Sequence, residues 1–162
     1  MIFVTVGSQK FQFDRLLKKI DDLIESKEID EELFAQIGAS EYIPKNYSYE
    51  RYLTRESFLF HTKECDLFIT HGGTGAIIGA LKAKKKVIAV PRLAKYGEHV
   101  DNHQIQLVDQ FVALSYINSC YDIKELGEVI KSTKNINFKT YVSNTSNIIK
   151  SINQFIESST GV

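Results

Sequence analysis

The sequence predicts an α/β protein with a mainly parallel sheet covered by helices on both faces. Three observations carry that expectation. Short apolar runs alternate with stretches of helical periodicity almost from end to end. Runs such as Ile2–Val6 and Val87–Val90 are nearly continuous in apolar character, as strands buried on both faces require. The runs also stop abruptly at Gly7, Gly38, Gly72 and Pro91, the residues that hand a strand over to a turn.

Taken in order, Ile2–Val6 reads as a first strand, broken at Gly7-Ser8. Phe13, Leu16, Leu17, Ile20, Leu23 and Ile24 then recur at helical spacing. Leu33–Ile37 is a second strand, and the tyrosine-rich, polar stretch from Ser40 to Tyr52 receives no assignment. Phe58–Glu64 reads as a short helix, Leu67–Ile69 as a buried strand, and Ala76–Lys84 as the helix that follows the glycine turn. Val87–Val90 is a strand stopped by Pro91 and followed by a loop to about Val100. Asn102–Phe111 is helical and Val112–Tyr116 strand-like. Asp122 to Glu125 has capping-box spacing for a helix to about Ser132. Asn144–Ile156 reads as a terminal amphipathic helix with Ile148, Ile149, Ile152, Phe155 and Ile156 on its apolar side.

At 162 residues, one domain is expected, spanning 1–162. The 20 basic and 20 acidic side chains balance, so no global charge points to a nucleic-acid partner. Cys65 and Cys120 do not make a disulfide framework, and the opening Met1-Ile-Phe-Val-Thr-Val lacks a basic n-region, so a cytoplasmic setting is expected. No apolar run reaches the ~20 residues of a membrane span.

In a parallel sheet, ligands sit beyond the carboxyl ends of the strands. Three segments therefore matter. The first is His71-Gly72-Gly73-Thr74-Gly75, between a strand and a helix. Its glycines admit close backbone approach, and the helix N-terminus offers N–H groups to an anion. Thr74 is placed to cap the helix or bond a phosphate oxygen, and the small residues Gly75, Ala76, Gly79, Ala80 and Ala83 to allow close packing on the sheet. A tight turn without a ligand is the alternative reading. His-Gly-Gly also occurs in esterase oxyanion loops, but no Gly-x-Ser-x-Gly elbow accompanies it.

The second segment, Gly7-Ser8, is followed by Gln9-Lys10-Phe11-Gln12, so it is neither a dinucleotide fingerprint nor a P-loop. The third runs from Pro91-Arg92 to Glu98-His99-Val100-Asp101-Asn102-His103-Gln104 and gathers groups suited to ribose and sugar hydroxyls. His99 and His103 are four apart, yet no His-Glu-x-x-His pattern or cysteine pair supports a metal, and none is expected. Lys82, Lys84, Lys85 and Lys86 read as a solvated helix end, with an anionic lipid as the alternative contact.

These motifs, Phe3-Val-Thr-Val-Gly7, Asp66-Leu-Phe-Ile-Thr-His71-Gly-Gly-Thr-Gly75, Val87-Ile-Ala-Val-Pro91-Arg92 and Asp101-Asn-His-Gln104, make the chain resemble a known family along essentially its full length. It is similar to the C-terminal, donor-binding half of family 28 GT-B glycosyltransferases. It is closer still to the stand-alone soluble subunits of two-part enzymes, those of dolichol-linked GlcNAc transfer and of bacterial capsule or exopolysaccharide synthesis. The resemblance implies a Rossmann-like fold equivalent to one GT-B half. It implies a UDP-sugar donor-binding subunit of an inverting transferase, needing no cofactor or metal. Its partner would be a membrane-anchored, acceptor-binding subunit carrying a lipid-pyrophosphate-linked saccharide, which would hold it at the inner face of the membrane. A non-catalytic stabilising subunit is the alternative.

By the same resemblance, Gly7 and Ser8 would lie near the donor diphosphate, and Gly72 to Gly75 would hold its phosphates. Asp101, Asn102, His103 and Gln104 would face sugar or ribose, Tyr52 to Thr54 the uracil, and His71 and Arg92 would belong to the same donor-binding set. Where relatives carry a ribose-binding glutamate this chain has Gly79, so Glu98 is the substitute expected. No catalytic base is identified.

Overall fold

The computed structural model describes residues 1–144 and 149–154. Six strands form one parallel sheet: β1 (Ile2–Thr5), β2 (Leu33–Gln36), β3 (Ser48–Glu50), β4 (Leu67–His71), β5 (Lys86–Val90) and β6 (Asn118–Ser119), in the order β3-β2-β1-β4-β5-β6. Four helices connect strands, α1 (Asp14–Glu25), α2 (Arg55–Glu64), α3 (Thr74–Lys82) and α4 (His103–Ala113), and α5 (Leu126–Thr133) follows β6. β1 is central, with Ile2 beside both Leu33 and Leu67 in register. The chain moves outward from β1 to β3, then returns to the other side of β1 as β4. That reversal opens a crevice between the carboxyl ends of β1 and β4, the topological switch point of an open α/β sheet.

The pleat assigns the core. Ile2, Val4 and Val6 join Leu16, Leu17, Ile20, Leu126 and Ile130 on the face covered by α1 and α5. Phe3 and Phe68 join Ile77, Ala80 and Val108 on the opposite face. Both layers are dry, which is why these strands carry no polar alternation.

Several expected boundaries move for identifiable reasons. Ser40–Tyr52, left unassigned, contains β3, an edge strand whose three residues are all exposed and therefore show no apolar signal. α2 begins at Arg55 rather than Phe58 because Thr54 caps it, its hydroxyl accepting from the Ser57 N–H at 3.2 Å. β4 extends through His71, and α3 runs from Thr74 to Lys82 rather than Ala76 to Lys84. The strand expected at Val112–Tyr116 is wrong: Val112 and Ala113 complete α4, and the sixth strand is Asn118–Ser119. Val112 packs on the sheet from the end of that helix, and Leu114 is its exposed C-cap residue. Asp122 accepts from the Lys124 N–H at 3.0 Å, but it caps a 3-10 turn at Ile123–Glu125 that precedes α5.

Small residues on α3 do not all serve packing. Ala80 meets the sheet, whereas Gly75 and Gly79 face open space. Of the expected terminal helix, residues 149–154 are helical and exposed, with Ile149 and Ile152 about half uncovered, while Ile148, Phe155 and Ile156 lie outside the described residues. Among the described residues, no helix is long and apolar enough to cross a membrane.

The irregular segment before β3 is held by two carboxylates of α1: Asp14 Oδ1 accepts from the N–H groups of Glu41 and Tyr42, and Asp21 is the second. Asp21, 2% exposed on α1, accepts from the Tyr42 hydroxyl at 2.7 Å and the N–H groups of Lys45 and Asn46 at 2.8 and 2.9 Å. That bond pushes the Tyr42 hydroxyl up to about 12. Asp21→Ala leaves three donors without their charged acceptor and is expected to lower unfolding free energy by about 2–4 kcal/mol in urea titrations. A loss below about 0.5 kcal/mol, the range of an ordinary surface substitution, would show that the segment is held by other contacts.

Candidate functional site

The crevice at the switch point is walled by three segments: the β1–α1 loop from Val6 to Phe13, the β4–α3 turn, and the β5–α4 segment from Pro91 to Asn102. The turn is built around His71. A Cβ at Gly73 would stand 2.3 Å from His71 Nε2, and one at Gly7 would stand 2.7 Å from Cε1. Both positions must therefore be glycine for the imidazole to sit between them. Gly7 also takes φ of +79°, a left-handed conformation that glycine adopts without steric penalty.

α3 begins without a side-chain cap. Gly73 is the N-cap residue, and Thr74 is the first helical residue rather than the cap expected of it. Thr74 and Gly75 are exposed, and no atom comes within 4 Å of a Cβ position at Gly75. The helix thus presents backbone N–H groups to open space, the arrangement that receives an anion.

Behind this mouth lies a buried polar scaffold. Gln104 Oε1 accepts from the Gly72 N–H at 3.1 Å and the Arg92 N–H at 3.0 Å. Gln104 is 4% exposed, so its amide joins two walls of the crevice instead of facing a sugar. Gly72 is removed from the phosphate cradle by the same bond, which leaves Gly73, Thr74 and Gly75. Arg92 is fully buried: Nη2 donates to Val6 O at 2.6 Å and Phe11 O at 3.1 Å, and the guanidinium lies over the Phe13 ring. It cannot touch a donor, contrary to expectation.

Glu98 is likewise unavailable for ribose. Its carboxylate is buried, accepts from Arg15 Nε and Nη2 at 2.8 and 2.9 Å, and accepts from the Leu93 N–H at 2.9 Å. Arg15 was invisible to sequence reasoning because its partner lies 83 positions away. Only the three-dimensional return of β5 beside α1 brings the two together.

Other expected residues are accessible. Ser8 is exposed beside Gly7. Asp101 Oδ1 accepts from the His103 N–H at 3.0 Å and contacts His103 Nδ1, bonds that hold its carboxyl below the usual range. His99 Nδ1 lies 3.3 Å from the same oxygen, and its ring packs against Phe11. His99 Nδ1 accepts from the Asp101 backbone N–H, so the three side chains gather around one carboxylate, with ligand-type atoms within 4.8 Å of one another. Asn102 Oδ1 accepts from the Ala94 N–H. Tyr52 is exposed past the end of β3, and Thr54 is committed to its cap. Lys84, Lys85 and Lys86 lie at the opposite end of the sheet, where β5 begins, with Lys85 Nζ and Lys86 Nζ donating to the carbonyls of Lys63 and Lys134. Burial pushes both cysteine thiols up to about 11, which removes thiolate chemistry at neutral pH.

Residues 1–158 match the family described as the glycosyltransferase family 28 C-terminal domain. The UDP-N-acetylglucosamine transferase subunit ALG13 of Candida albicans is 35% identical over 75 residues, which is 46% of this chain and 24% of that protein. The Saccharomyces cerevisiae protein of the same name is 42% identical over 55 residues, 34% of this chain and 25% of that protein. The chain thus aligns with about a quarter of the length of these relatives. Among solved structures, the glycotransferase of kitacinnamycin gives a TM-score of 0.62 at 18% identity, covering 83% of this chain and 35% of that one. Acinetobacter baumannii MurG gives 0.56 at 15%, covering 80% and 40%. The solution structure of ALG13 gives 0.58 at 20%, covering 88% and 89%. These likenesses show the fold, a Rossmann-like half of the GT-B type.

His71 supplies a pH test of the crevice. Burial first, then the charge of Arg92, pushes its imidazole down to about 4. Between that value and the ordinary 6.5, the unfolded chain binds a proton that the folded chain refuses, so this group's contribution to stability falls as pH drops through the window. His71→Asn is expected to flatten the decline of unfolding free energy between pH 6.5 and 4.5 measured in urea. An equal decline in variant and wild type would mean that His71 is not held neutral.

Proposed function

Because the chain belongs to the glycosyltransferase family 28 C-terminal domains, we propose that it is the donor-binding subunit of a two-component glycosyltransferase that uses a UDP-sugar. The observation that carries this reading is the uncapped N-terminus of α3, open to solvent at the switch point, with bare Gly75 on its first turn and Gly7 opposite. A diphosphate placed there meets backbone N–H groups and the positive end of the helix dipole. Departure of the nucleoside diphosphate concentrates negative charge on its β-phosphate. Donors already aimed at that position stabilise the transition state more than the ground state. This reading requires no divalent metal. The Asp101–His103 pair and Asn102 stand beside the cradle, where sugar hydroxyls would be read.

The names of the two ALG13 relatives favour N-acetylglucosamine as the sugar and a multi-subunit enzyme. We assign the acceptor, a lipid-pyrophosphate-linked saccharide of capsule or exopolysaccharide synthesis, to a membrane-anchored partner that supplies the catalytic base and keeps this chain at the inner membrane face.

Gly75→Val is the clean probe, because its side chain enters open space, whereas any side chain at Gly73 collides with His71. Calorimetry in EDTA is expected to show UDP binding by the wild type and a loss of about tenfold or more in the variant, with the thermal transition retained. Failure of the wild type to bind UDP or UDP-sugars would overturn the reading.

A further inference from the structure

Arg92 is the largest fully buried side chain among the described residues, and the carboxylate that acts on it is shared with a second guanidinium. Burial pushes it down to about 10, so it is charged at neutral pH. The carboxylate that acts on it is Glu98, which is already bonded twice by Arg15 and once by the Leu93 N–H. The buried Arg92 guanidinium and the partly exposed one of Arg15 thus share one buried carboxylate, and His71 beside them is neutral. Nη2 donates to the carbonyls of Val6 and Phe11, which bracket Gly7 and Ser8, while Nε and Nη1 are buried without a hydrogen-bond partner. A buried charge costs several kcal/mol to desolvate, and an anion held nearby offsets part of that cost even without contact.

We propose that Arg92 is a positioning residue of the donor cleft: it anchors the Gly7–Ser8 turn from beneath and provides, through the protein, the positive charge that a bound nucleoside diphosphate neutralises. This rests on the donor-site reading and specifies its electrostatics. The ligand never touches the guanidinium. Charge buried under the crevice floor acts through low-dielectric protein rather than water, so it is screened little and needs no reorganisation when the leaving group departs. The uncapped α3 terminus and Arg92 then press on the same anion from two sides, one by N–H donation and the other by charge. Selectivity follows: the contribution is large for a diphosphate and absent for a neutral nucleoside.

The full chain is titrated with UDP and with uridine, comparing wild type, Arg92→Met and Arg92→Lys. Arg92→Met is expected to weaken UDP by about tenfold or more, with uridine changed by less than about twofold, and Arg92→Lys to recover most of the UDP affinity. In the wild type, the Arg92 Nε–H resonance is expected to shift on adding UDP and to stay in place on adding uridine, a readout that needs no variant to fold. A folded Arg92→Met with wild-type UDP affinity, equal losses for UDP and uridine, or an Nε–H signal indifferent to UDP would overturn the inference alone. Absence of UDP binding by the wild type would overturn the donor site with it.

Discussion

One amide oxygen holds the crevice together. Gln104 Oε1 accepts from Gly72 on one wall and Arg92 on another. The Arg92 side chain then reaches the third wall through Val6 and Phe11. Three loops separated by up to about ninety positions in the chain are thereby set relative to one another by hydrogen bonds that water cannot reach. The buried N–H groups of Gly72 and Arg92 would otherwise be left unpaired, and a buried polar group without a partner is costly. These bonds set the positions of the loops that form the open mouth of the crevice.

The glycines at the mouth follow from that scaffold. His71 ends β4 and projects between the first and second walls, so Gly7 and Gly73 must surrender their side-chain space to its ring. Gly75 and Gly79 are different, since none of the described residues occupies the space in front of them. The same short motif thus contains glycines required by the fold and glycines that leave room for a ligand. Distinguishing the two requires knowing where the imidazole lies.

The parallel sheet was legible because buried strands are apolar on both faces, and the strand–helix alternation left few topologies to choose from. Edge strand β3 was not legible, since Ser48, Tyr49 and Glu50 are exposed and carry no periodic signal. The three loops of the crevice were found from strand ends, but the division of labour within them was not. Arg92, Glu98 and Gln104 have the chemistry of ligand-binding groups and were read so. The structure spends them on one another and on Arg15, because side-chain direction at a strand end is fixed by partners far away in sequence. Residues Ser8, Thr74, Asp101 and His103 keep the exposure that a ligand contact needs.

The most direct measurement is a titration of the full chain with UDP followed by backbone amide NMR. A donor cleft at the switch point predicts that the largest shifts fall on Gly7, Ser8, Gly73, Thr74 and Gly75. Smaller shifts are expected along Asp101 to His103, with the lysine end of the sheet at Lys84 to Lys86 unmoved. Shifts confined to that opposite end, or a glycine turn indifferent to UDP, would contradict it.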